Sequence, residues 1–455
     1  MRLGKNSIRV AIFVCATSAH GQAPSVLSLP QALELARKHP SIQAAQASVQ
    51  ASAAGVDLAR TAYLPRADLY SQVNRATRNN IFGLIFPNSV IPAISGPVRE
   101  AATITSTWGS AAGLLFSWEP FDFGLRKANV ALARTLERQA RAGVTATEYE
   151  ISLAVVDAFV SALAAAQAEA AAQANVERLE VFHRTVRALV ASELRPGADE
   201  SRALAELVRA RTELAAAEGQ EQEARVALGE WVGAVPQRLD PGALLSAAPA
   251  QLAAGDVAQH PLAQQQSAAV EAAEARERSL EKAWRPRVEI LSAVYGRGTG
   301  AQLDGTFEGG AAGLAPSTGN WAAGVSIKFP LLQYRETEAR RAIEEHQGRS
   351  ESARLEALVR NLRTQAEKAR AQLEAARRIA ANTPLEVEAA RQLVEQAEAR
   401  YRAGLSSVVE VAEAQRLLRQ AETDNALARL GVWRALFAVA AAEGNLEELA
   451  RRSGR

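Results

Sequence analysis

Sulfur is almost absent from this chain. One cysteine and one methionine occur in 455 residues. Cys15 lies so near the start that the rest of the chain can build no disulfide framework, thiolate metal site or cysteine nucleophile. Histidine is scarce too: His20, His39, His183, His260 and His346 include no pair at i,i+4 spacing and no HExxH, so no metal site is expected. There is no P-loop lysine and no GxSxG turn. Gly296-Arg297-Gly298-Thr299-Gly300 has glycines spaced as in a phosphate loop, but it follows a strand without opening a helix and reads as loop. Paired acids such as Glu344 and Glu345 lie in helical patterns, where solvation is their usual fate. Nothing converges on catalysis, and no cofactor is expected.

Beyond the N-terminal region no stretch reaches about 18 uncharged apolar residues, so no transmembrane helix is expected; entry into a membrane as strands stays open. Charge of one sign is lacking as well. The 52 basic and 50 acidic residues leave a formal net charge of +2 and are interspersed as solvated helix faces, which gives no case for a nucleic-acid partner. Aromatics make up only 5%, while alanine dominates the periodic segments. Each alanine buries little area, so stability has to come from many shallow contacts along long helices, which favours an oligomeric bundle.

At the N-terminus Arg2, Lys5 and Arg9 precede an apolar run from Val10 to Ala16 and small residues up to Ala23. This reads as a secretory signal peptide over residues 1–23, cut after Gly21 or Ala23. Val14 stands where a lipoprotein signal would carry a small residue before the cysteine.

The chain is organised around a helical hairpin from Leu331 to Gly444 that turns at Tyr401-Arg402-Ala403-Gly404-Leu405-Ser406-Ser407. On its outgoing arm Leu355, Leu358, Leu362, Ala366, Ala369, Leu373, Ala376 and Ala380 form one stripe. Val387, Ala390, Val394, Ala397 and Tyr401 continue it beyond Pro384. The return arm carries Val411, Ala414, Leu418, Ala421, Asn425, Ala428, Val432, Ala435, Val439 and Ala442 at coiled-coil spacing. A helix from Leu332 to Arg400 would be about 100 Å long at 1.5 Å per residue, a strut and not a core element.

The same plan occurs twice. In the first pass, a helix over Leu29–Ala62 with Pro30 in its first turn leads to an alternating strand over Ala67–Arg75. A long loop over Ala76–Thr107 and a strand over Trp108–Glu119 follow. Then comes a helical hairpin over Leu125–Gly233 with its tip at Leu194–Asp199. The second pass has strands over Val288–Tyr295 and Trp321–Phe329 around a Gly-rich loop, Gly296–Gly319. His39-Pro40 and His260-Pro261 each precede a Pro-Arg pair, Pro65-Arg66 and Pro286-Arg287, at a gap of 25 residues between prolines. These histidines read as punctuation around helices. The expected organisation is a first repeat at 24–233, a connector at 234–258, a second repeat at 259–444 and a C-terminal tail at 445–455.

Four strands with one apolar and one polar face cannot close a barrel and would leave edges unpaired. Pooling strands among three copies gives twelve, an even number suited to a membrane barrel. Trp108, Trp118, Trp284 and Trp321 lie at or near strand ends, where a membrane interface favours amphipathic rings.

With its doubled plan, its His-Pro and Pro-Arg punctuation and the turn Tyr401-Arg402-Ala403-Gly404 before Val408-Val409-Glu410-Val411, the sequence resembles the TolC-like outer-membrane efflux proteins. The resemblance spans Leu29 to Gly444. It implies a mostly α protein with membrane β-structure, a homotrimer whose β-barrel in outer-membrane lipid continues as an α-helical barrel in the periplasm. It implies a passive exit duct of a tripartite efflux pump or type I secretion system, served by a periplasmic adaptor (membrane fusion) protein and an inner-membrane transporter.

Carried onto this chain, the resemblance places a periplasmic gate at Glu410 and Glu413, where family members often carry aspartate. From spacing alone the same pair is a solvated i,i+3 face. The adaptor-docking tips would be Arg195 and Gly197 in the first hairpin and Arg402, Gly404 and Ser406 in the second, with glycine suited to a reversal at positive φ. Pro196 and Asp199 set the first tip apart from the commoner pattern. A periplasmic coiled-coil scaffold would share the hairpins but would not need the amphipathic strands.

Overall fold

The computed structural model describes residues 26–77, 104–246, 255–300, 306 and 308–453. The expected signal peptide with Cys15 and His20 lies outside the described residues, as do the centre of the first long loop, part of the connector and part of the Gly-rich loop. In chain order the elements are β1 (Val26–Ser28), α1 (Leu29–Ala36), α2 (Pro40–Thr61), β2 (Arg66–Thr77), β3 (Ser106–Phe121), α3 (Leu125–Ala191) and α4 (Gly197–Val232). They continue with β4 (Arg238–Asp240), α5 (Pro261–Ala283), β5 (Arg287–Thr299), β6 (Thr318–Lys328), α6 (Tyr334–Arg402), α7 (Val408–Glu443) and α8 (Leu446–Ser453). They form two compact units, one from residues 1–43, 147–260 and 360–455, the other from 44–146 and 261–359. Each unit draws on both halves of the duplicated sequence.

The second unit holds a four-stranded antiparallel sheet in the order β2-β3-β5-β6, one β-hairpin from each repeat joined through β3 and β5. Alternation along the strands fixes the faces. One cross-strand row is Leu69, Leu114, Val294 and Trp321, all exposed. The next row, on the other face, is Tyr70, Gly113, Tyr295 and Asn320. Among the described residues β2 and β6 each keep one edge unpaired. β2, β3 and β5 outrun their expected limits, while β6 starts early and stops one residue short of Phe329. Gly296–Thr299, expected as loop, is the end of β5, paired with β3 throughout and with β6 at Gly296 and Arg297. Cross-strand bonding overrides the weak strand preference of glycine there.

At the strand-to-helix junction Phe123 takes a left-handed φ of 52°. Asp122 holds that turn, accepting from Gly124 N at 3.1 Å and from Arg126 Nε at 3.1 Å. Trp118 donates its indole N–H to the Tyr63 carbonyl at 3.1 Å, and the Trp284 ring meets Phe329 and Tyr334 edge-on, each at 6.4 Å. Trp108 lies under the Arg75 guanidinium near the opposite end of the sheet. Trp321 departs from the strand-end expectation: the register sets it level with Leu114, midway along β3.

The first unit has a core of Leu27, Phe159, Leu228, Trp433, Leu436, Leu446 and Leu449, among others. Three corrections fall here. The helix expected over Leu29–Ala62 is broken, because Pro40 has no N–H to donate and disfavours helical geometry at the residue before it. His39 then caps the new helix, its Nδ1 accepting from Ser41 N at 3.3 Å. The expected tail contains α8, which buries Leu446, Leu449 and Ala450 in the core. A second, two-stranded sheet pairs β1 with β4 in parallel, and three-residue strands leave too little alternation to read. One window of α3 is apolar enough, by length and composition, to cross a membrane, although no 18-residue stretch in it is free of charge. Its helix supplies Val155, Phe159 and Leu163 to this core.

Candidate functional site

The tips of the two hairpins lie together in the first unit. α3 and α4 pack against α6 and α7 through Val176, Leu179, Phe182, Val186, Leu207, Val394, Tyr401, Val411 and Leu418, the stripes that the heptad spacing marks on α6 and α7. A polar layer crosses this seam. Arg178 donates to the Gln415 Oε1 at 3.2 Å and pairs with Glu422 at 3.0 Å, while Gln415 donates to Glu398 at 2.9 Å. Gln415 is buried, so sliding one hairpin along the other would strand its amide without partners.

Both chain reversals use the same backbone device. Leu194 N bonds to Leu189 O at 2.9 Å, and Leu405 N to Arg400 O at 2.8 Å, the six-residue closure of a left-handed helix cap. The left-handed residue is Gly404 in the second tip, φ 80°, but Glu193 in the first, φ 59°. Gly197 therefore is not the reversal residue expected of it; it opens α4 behind Pro196. The leucines that follow, Leu194 and Leu405, stand 69% and 70% exposed at equivalent places. Sequence reasoning passed over both, because the missing glycine hides the equivalence.

The reversals are stitched to each other. The Arg195 guanidinium lies 4.3 Å from the Tyr401 ring centre and also donates to the Tyr401 carbonyl. Tyr401, 1% exposed, donates its hydroxyl to Asp199 at 3.0 Å, and Phe182 meets its ring edge-on. Burial, then the bond to Asp199 and its charge, push the phenol up to about 12. Asp199, which sets the first tip apart, and Arg195, expected as a docking residue, are thus the partners of Tyr401. Beside them Val181, Phe182, Thr185, Glu398 and Arg402 line a cavity of about 40 Å³.

The other expected residues divide. Arg402 is exposed and pairs with Glu398 at 3.1 Å. Ser406 is buried and donates to the Ala397 carbonyl at 3.4 Å, so it offers no docking surface. Glu410 and Glu413 are both exposed. Glu410 completes a capping box, accepting from Ser407 N at 3.4 Å. Glu413 is held by Arg416 at 2.5 Å, and that bond lowers its pKa. Among the described residues no cluster of potential metal ligands occurs.

The profile of the outer membrane efflux protein family matches residues 32–234 and 257–445. The chain belongs to the outer membrane efflux protein family. Solved channels share its fold at low identity. The outer-membrane channel OprN is 18% identical with a TM-score of 0.69, over 92% of this chain and 90% of its own. CusC is 16% identical with a TM-score of 0.73, over 91% of this chain and 92% of its own. The MtrE outer membrane channel of Neisseria gonorrhoeae, described in its open state, is 18% identical with a TM-score of 0.70, over 98% of each chain. A search of curated proteins found no match. As a family member, this efflux protein is a TolC-like transport channel of the outer membrane.

Proposed function

We propose that this outer membrane efflux protein is the exit duct of a tripartite pump or type I secretion system and conducts its cargo passively from periplasm to exterior. One observation carries the reading: the sheet exposes an apolar face through Leu69, Leu114, Val294 and Trp321 while, among the described residues, both its edges stay open. Lipid against that face and strands of neighbouring copies along those edges satisfy both needs. Three copies then close twelve strands, and the hairpins continue the duct into the periplasm. Energy comes from an inner-membrane transporter through a periplasmic adaptor.

The hairpin tips are the proposed adaptor contacts, with Leu194 and Leu405 as exposed apolar anchors beside Arg402. Glu410 and Glu413 are the proposed acidic ring at the entrance. Single-channel conductance in a planar bilayer, with oligomeric mass from the same sample, tests the duct. A trimer with low, cation-selective conductance supports it. A folded monomer without conductance overturns it.

A further inference from the structure

The duct reading gives the apolar face of the sheet to lipid and the opposite face to the lumen. A water-filled lumen is expected to be polar, yet the middle of this face is not. Ala111, Leu115 and Ala293 are almost fully buried on it, and Tyr70 and Tyr295 pack against them. The two tyrosines flank Gly113 in one cross-strand row. A Cβ on Gly113 would come within 2.4 Å of the Tyr295 Cβ, so glycine is what lets β3 and β5 approach here.

One step further along the same face stands Arg297, opposite Ala111. Its Nε is enclosed without a hydrogen-bond partner, and it makes no ion pair among the described residues. On the other side of the tyrosine row lies Asp68, level with Leu115 and Ala293. The strip therefore runs from Arg297, across the tyrosine row, to Asp68 and, one step beyond it on the same face, Arg66.

We propose that this strip of β2, β3 and β5 binds anionic amphiphiles with a flat apolar body. The body rests on Tyr70 and Tyr295, which cover the buried aliphatic layer, and ring stacking holds it there. The anionic end meets Arg297 in a charge-assisted contact. The inference rests on the duct reading and names a cargo class for it: organic anions with an aromatic or fused-ring body.

The test is single-channel current from the full-length protein in a planar bilayer, with 1-naphthalenesulfonate as probe and neutral 1-naphthylmethanol as its control. The sulfonate is expected to give transient blocks, and the neutral probe briefer ones. Arg297→Gln and Tyr295→Ala should each shorten the sulfonate dwell time by about fivefold or more without changing open conductance, and Tyr295→Phe should preserve it. If Tyr295→Ala fails to insert, Arg297→Gln decides alone. A conducting channel with no sulfonate block, or with equal dwell times in wild type and variants, overturns the strip and leaves the duct standing. A protein that does not conduct overturns the duct reading and the strip with it.

Discussion

The guanidinium of Arg195 lies over the ring of Tyr401 at 4.3 Å from its centre, and the Tyr401 hydroxyl reaches back to Asp199. One side chain of the second hairpin is thus held by two of the first. Tyr401→Phe removes only the hydroxyl bond and should cost about 1–2 kcal/mol locally, because it leaves the Asp199 carboxylate without its donor. Faster amide exchange in residues 397–405, with little change at Leu436, is the expected outcome. Protection that falls equally in both places would show that the bond stabilises the whole unit and not the tip.

The two reversals predict opposite effects of glycine. Glu193→Gly relieves a left-handed non-glycine residue and should stabilise the first tip by about 1 kcal/mol. Gly404→Ala imposes the same strain on the second and should destabilise it by a similar amount, about 1 kcal/mol. Limited proteolysis at the tips reads both changes.

The acidic pair calls for glutamine and not alanine. Glu410→Gln removes charge while preserving the capping box, since glutamine serves at that position. Glu413→Gln removes the ion-pair partner of Arg416 and leaves Glu206 as the acid that acts on it. The double variant should assemble normally and lose cation selectivity and block by multivalent cations. Unchanged selectivity by reversal potential would remove the gate role from both residues.

His260 gives the first unit a pH dependence. It is fully buried, with Nε2 3.0 Å from the Ala441 carbonyl and its ring against Tyr149, whose hydroxyl donates to the same carbonyl. Burial pushes the imidazole below its ordinary value, only partly offset by the bond to Ala441, and burial pushes Tyr149 up to about 12, so the phenol stays neutral. The unfolded chain then takes up the proton first. Stability is full above the ordinary histidine value and is lost as pH falls from there through the depressed one. Thermal unfolding between about pH 7.5 and about pH 5.5 should show a fall in midpoint that shrinks in His260→Gln, which keeps a donor for Ala441.

Periodic features were legible in the sequence because periodicity is written over many residues. The stripe from Leu362 to Tyr401 and the alternation from Trp321 to Ile327 reappear in the structure. Features set by one contact across the chain were not. Asp199 looked like a departure from a pattern until its partner, two hundred and two residues later, was in view. Ser406 looked like surface and is buried, because its neighbours in sequence say nothing of the Ala397 carbonyl above it. Glu193 was hidden because a left-handed turn was sought at a glycine, and this chain places Gly197 inside the next helix instead.

Val26 to Ser28 pair with Arg238 to Asp240, and Leu27 and Leu29 share a core with Leu446 and Leu449. The first residues described are therefore completed by the last. The unit cannot close until α8 has been synthesised, and the entropy of joining segments so far apart in sequence makes closure late and slow. For a protein of the outer membrane, lateness is useful: a chain unable to close this unit before α8 arrives stays threadable during export.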